Sequence, residues 1–150
     1  VSDTAQHAVI EALVDLWNNA LDVPVYDGPN AVEEAEYAAV WVGYDPTDDN
    51  AQAVESSQTW AELGNRAKNE EGTITCAVAA WSGDSTTIKR RQRVAELLSE
   101  LETALRADLT LSVGTLIDTN FGERITLHQQ LTEDGNEVLA LFTVDYRARI

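Results

Sequence analysis

The stretch Glu133-Asp134-Gly135-Asn136-Glu137-Val138-Leu139-Ala140-Leu141-Phe142-Thr143-Val144-Asp145-Tyr146-Arg147-Ala148-Arg149-Ile150 decides how the rest of the chain must fold. From Val138 onward, Val138, Ala140, Phe142, Val144, Tyr146, Ala148 and Ile150 all fall on alternate positions. Period two is the period of a β-strand, whose successive side chains point to opposite faces. The other face turns polar toward the end, at Asp145, Arg147 and Arg149. One face therefore needs cover and the other meets water. Just upstream, Arg124 to Thr132 alternates, with Ile125, Leu127 and Leu131 on one face. The Glu133-Asp134-Gly135-Asn136 segment between the two reads as a turn, and its Asp-Gly step is a strong hairpin signal. The pattern predicts a C-terminal β-hairpin.

Working outward, two segments have the period of a helix and supply that cover. In residues 3–21, Ile10, Leu13, Val14, Trp17 and Leu21 form an apolar stripe, widened by Val9, Ala12 and Leu16. Asp3 reads as its N-cap, and Pro24 cannot continue it. In residues 86–107 the stripe is Val94, Leu97, Leu98, Leu101 and Leu105. Between the helices lie further strand signals. Val23-Pro24-Val25-Tyr26 is extended, and Tyr37 to Tyr44 is small, β-branched and aromatic. Residues 55–67 read as a strand. Thr73 to Trp81 is apolar on both sides, as a central strand is, and holds the only cysteine, Cys76, as a small buried residue. Val113 to Ile117 is a short strand. Asp27-Gly28-Pro29-Asn30 and Lys68-Asn69-Glu70-Glu71-Gly72 read as turns. Asp45-Pro46-Thr47-Asp48-Asp49-Asn50 reads as an exposed, mobile acidic loop. The expectation is one α+β domain over residues 1–150, a mostly antiparallel sheet with two amphipathic helices packed on one face.

Charge is unevenly spread. The chain carries 26 acids against 10 bases, net −16. Residues 1–65 hold 13 of the acids and no Lys or Arg, whereas residues 66–150 hold all 10 bases. Such a field repels phosphates and argues against non-specific nucleic-acid binding. No apolar run approaches the roughly 20 residues of a membrane span, and the first residues lack a basic start and an apolar run, so neither membrane nor leader is expected.

The residues offer no equipment for catalysis. His7 and His128 have no partner at a metal-ligand spacing. The acidic loop lacks the alternating acids and glycine of a calcium loop, and phosphate-cradling and nucleophile-elbow motifs are absent. The chain is expected to be no enzyme, with no catalytic residue, cofactor or metal. One cluster stands out: Lys89, Arg90, Arg91 and Arg93, in the first turns of the second helix. Without interleaved aromatics it reads either as a docking patch for the acidic part of an adjacent copy or as a plain solvated face. Arg147 and Arg149 join it as candidate interface bases.

The segments also follow a familiar order. The N-terminal helix leads to Val25-Tyr26-Asp27-Gly28-Pro29, then to Trp41-Val42-Gly43-Tyr44 and Ser57-Gln58-Thr59-Trp60-Ala61-Glu62-Leu63-Gly64. Asn69-Glu70-Glu71-Gly72, Ala80-Trp81-Ser82-Gly83-Asp84, Leu105-Arg106-Ala107-Asp108 and the final strand follow. This order and spacing, over nearly the whole chain, resembles the tail terminator (tail completion) proteins of long-tailed, siphovirus-type bacteriophages of actinobacteria. The resemblance implies a virion protein that forms a hexameric ring with its own copies. That ring sits on the major tail tube protein, stops its polymerisation and meets the head-tail connector or head-closure protein. DNA passes through the lumen without specific binding. Assembly takes place in the host cytoplasm. Within that scheme Asp45, Asp48, Asp49, Glu70 and Glu71 are the candidate lumen or partner-facing acids. The competing readings are another neck component, a tail tube subunit, and a small-molecule-binding α+β domain. They separate on which neighbour is touched, on whether the chain polymerises indefinitely, and on a convergent polar pocket.

Overall fold

Two long strands run antiparallel through the middle of the molecule, β4 (Lys68–Ser82) and β7 (Gly135–Arg149), paired from Asn69 opposite Arg149 to Ser82 opposite Asn136. The computed structural model describes residues 4–29, 38–48, 50–61, 67–82, 87–111, 113–132 and 135–150. Each long strand carries two short ones end to end on its outer edge. On β4 these are β2 (Ala38–Val42) and β3 (Val54–Trp60). On β7 they are β5 (Leu116–Phe121) and β6 (Thr126–Thr132). A three-residue strand, β1 (Val25–Asp27), lies outside β2. It pairs in parallel, the exception in an otherwise antiparallel sheet.

The joints between the short strands are held by the long ones. Gly43 and Tyr44 both donate their N–H to the Thr75 carbonyl, and Thr75 donates to the Ala53 carbonyl. The acidic loop is thus pinned to the middle of β4 at both ends. On the other side Gly122 donates to the Thr143 carbonyl between β5 and β6. A side chain at Gly122 would run into Thr143 Oγ1, so close backbone approach requires glycine there.

Helices α1 (Gln6–Ala20) and α2 (Thr87–Ala107) cover one face of the sheet. Val138, Ala140, Phe142, Val144, Tyr146 and Ala148 point into that layer, with Val78, Cys76 and Ile74 beside them. The buried row of α1 is Val9, Leu13 and Trp17, with Ile10 and Val14 on its flanks. Trp17 donates its indole N–H to the Leu101 carbonyl of α2 at 3.1 Å and meets Phe121 and Phe142 edge-on. On the opposite face a second apolar cluster of Ala39, Trp41, Ala77, Ala79 and Leu139 occupies the β1–β2 end.

The α+β reading holds, with both helices on one face. Several local readings do not. Lys68 to Gly72 is the first third of β4, because pairing with β3 on one side and β7 on the other outweighs the turn preference of Asn and Gly. The short strand expected at 113–117 begins at Leu116 and runs to Phe121. Gly135 and Asn136, expected in the turn, belong to β7; Glu133 and Asp134 lie outside the described residues. The apolar face of the Arg124–Thr132 segment is not covered, for α2 reaches only as far as its flank: Ile125, Leu127 and Leu131 are 51%, 45% and 72% exposed.

Candidate functional site

The N-terminus of α1 ends against a strand. Its N-cap is Ala5, which has no side chain to offer the open amides. Asp3, expected in that role, lies outside the described residues. The cap comes instead from Glu70 on β4. Its carboxylate accepts the Ala5 N–H at 3.0 Å and the hydroxyl of Thr4, the Gln58 amide and the Tyr146 hydroxyl, each at 2.7 Å. Glu70 is fully buried. Burial raises its pKa, but the bonds from Gln58, Tyr146, Thr4 and Ala5 outweigh it and hold the carboxyl below its ordinary value. Burial, and then the bond to Glu70, push the Tyr146 phenol up. The Tyr146 ring lies over Gly72, where a Cβ would stand 2.3 Å from it. Glu70 is therefore a structural anchor. It cannot line a lumen, as expected of it, because its side chain points into the helix layer.

Glu71, one residue on, points the other way. It lies on the helix-free face, in the row Ser57, Glu71, Arg147, Asp118. The next row is Glu55, Thr73, Asp145, Asn120. These side chains line an open groove of about 600 Å3. Arg147 forms a two-pronged pair with Asp118, Nε to Oδ1 at 3.0 Å and a second bond to Oδ2. That bond holds the Asp118 carboxyl down and the Arg147 guanidinium up. Arg149 donates to Asn69 Oδ1 at 3.2 Å. Acids outnumber bases on this half of the face.

The bases expected to act together fall into two groups. Lys89, Arg90, Arg91 and Arg93 lie at the start of α2. Arg91 bonds Gln129 of β6 at 3.1 Å, and Arg93 bonds Asp22 at 3.0 Å and approaches Glu96 at 3.5 Å. Thr87 at the same end bonds Asn136. Arg147 lies eleven residues further along β7 than Asn136, roughly 35 Å away at strand rise. A contiguous six-base patch is thus excluded. Asp45 is half-buried and Asp48 exposed. Each accepts a backbone N–H two residues on, from Thr47 at 2.8 Å and from Asn50 at 2.9 Å. Asp49 lies outside the described residues.

Sequence reading missed the partners of Glu70, because all four donors are remote on the chain or on another strand. His7 is exposed and pairs with Glu11 at 3.1 Å. Among the described residues no group of three His, Cys, Asp or Glu side chains could hold a metal ion, and no helix is long and apolar enough to cross a membrane. No protein-family model matches the chain, and no curated protein matches it.

Proposed function

We propose that this chain is a ring-forming structural protein of a bacteriophage tail, a tail terminator that caps the tube and meets the head-side connector. The ring, expected to be hexameric, stops polymerisation of the tube and lets DNA through. The observation that carries the reading is the division of charge along the chain. Residues 1–65, with 13 acids and no Lys or Arg, supply α1 and the strands outside β4. Every Lys and Arg belongs to residues 66–150, and those at the start of α2 lie between the two edges of the sheet, with Arg91 bonded to Gln129 of β6 and Arg93 to Asp22 before β1. An acid-only first part and a base-containing second part suit the head-to-tail contacts that close a ring. The polar half of the helix-free face, with Glu55, Glu71, Asp118 and Asp145, suits a channel along which DNA slides without sticking. On this reading Glu71 remains a lumen candidate and buried Glu70 does not.

The test is electron microscopy of the major tail tube protein of the same virus, polymerising with and without this chain. A ring at one tube end and arrested growth are expected. Tubes that grow unchanged, or that take up this chain along their length, would overturn the reading, the second outcome in favour of a tube subunit.

A further inference from the structure

The edge strand β6 has an unusual surface. Thr126-Leu127-His128-Gln129-Gln130-Leu131-Thr132 contains no Lys, Arg, Asp, Glu or Pro, the residues by which edge strands are normally kept from pairing. Among the described residues it pairs with β7 alone. Its helix-side face presents Leu127 and Leu131, exposed by 45% and 72%. Ile125, 51% exposed, precedes the strand. Ile88, 57% exposed, lies one helical turn before Arg91, whose guanidinium bonds Gln129 between the two leucines. Arg124 precedes this apolar row, and Arg91 reaches its middle.

At the far side of the sheet the outermost strand among the described residues at the same level is β1. The register gives one unbroken row: Val25, Val40, Val78, Ala140, Leu127. Val25 and Leu127 are its two ends. The inner edge of β1 is used by bonds from Val40 to the Pro24 carbonyl and from Gly28 to the Val42 carbonyl. Backbone groups alternate sides along a strand, so those of Val25 and Asp27 face outward. Pro24, which has no N–H to give, has its carbonyl on the inner side and leaves the outer ladder intact. Exposed Asp27 ends β1 as Arg124 precedes β6, whereas Asp22 is already paired with Arg93 of its own chain at 3.0 Å.

We infer that β6 of one copy pairs with β1 of the next, so that the sheet runs from subunit to subunit. The inference rests on the ring-forming part of the proposal above and names the edges that meet. A closed ring has no rise between copies. With the strands along the ring axis, each row of one copy therefore meets the same row of its neighbour. Leu127 then lies beside Val25 and Gln129 beside Val23. β4 and β6 both run antiparallel to β7, and β1 runs parallel to β2 and so antiparallel to β4. The new pair is consequently antiparallel, with Ile125 opposite Asp27 and Arg124 next to it. Leu131 comes opposite Leu21 at the end of α1, and Asp27 meets Arg124.

Four variants test this by particle mass across a concentration series: Leu131→Asp, Asp27→Arg, Arg124→Asp, and Asp27→Arg with Arg124→Asp in one chain. All three side chains are exposed, so each variant should melt like the parent. Leu131→Asp should weaken self-association roughly tenfold to a hundredfold. Each single charge reversal should weaken it about tenfold, and the double reversal should restore it, because every contact regains an opposite pair. An oligomer unmoved by Leu131→Asp, or single reversals not rescued by the double, would overturn the edge assignment and leave the ring standing. A chain that stays monomeric to about millimolar concentration would remove both.

Discussion

Replacing Glu70 with Gln tests whether a strand carboxylate holds the start of the first helix. Four donors converge on its two oxygens at 2.7–3.0 Å with no exposure to solvent. Glutamine keeps one acceptor oxygen and turns its NH2 toward groups that are themselves donors. Two charge-assisted bonds are lost and two buried donors go unpaired. At about 1.5–3 kcal/mol for a bond to a charged group, a loss of about 3 kcal/mol or more is expected at pH 7. That lowers the melting temperature by roughly 6–12 °C for a domain of this size. The pH dependence supplies the second readout. The Glu70 carboxyl is held below its ordinary value of 4.5, so its contribution is complete above that value and disappears as pH falls through the folded value. Thermal melts of the parent and Glu70→Gln from pH 7 to pH 3 should therefore differ most near neutrality and converge in acid. Equal stability at pH 7, or a gap that stays constant down to pH 3, would refute the reasoning.

Three further outcomes follow from the packing. Gly72→Ala forces a Cβ to 2.3 Å from the Tyr146 ring and should cost about 1–3 kcal/mol by urea denaturation, whereas Gly114→Ala, with nothing within 4 Å, should leave the midpoint almost unmoved. Trp17→Ala empties the junction of both helices and the Phe121–Phe142 pair, and should lower stability by about 3–5 kcal/mol in the same assay. Burial pushes the Cys76 thiol up to about 12, so alkylation at pH 8, followed by mass, should be negligible in the native chain and complete in denaturant; rapid native labelling would contradict its burial.

Much of the architecture was legible in the chain because it rests on local periodicity. The Val138–Ala148 alternation marked a long strand, and the Val94–Leu105 stripe marked the second helix. The first helix was read one row off its centre: a wide stripe does not say that Val9, Leu13 and Trp17 are the buried row. Lys68 to Gly72 was misread because Asn-Glu-Glu-Gly favours a turn in isolation, and only neighbours on both sides make it a strand. The candidate bases were grouped by residue type. The fold separates them by the length of β7.

By itself, then, the sequence determined the α+β class, the C-terminal hairpin, and the division of charge between the first 65 residues and the rest. Each depends on spacing or count along one segment. Tertiary structure alone decided that Glu70 is a buried helix cap and Glu71 a surface acid, since neighbouring positions on a strand face opposite ways and only the strand's neighbours settle which side is covered. It also decided that the apolar row of Arg124–Thr132 stays open. Alternation specifies that two faces differ, and whether a helix reaches the apolar one depends on where the chain ends up in space.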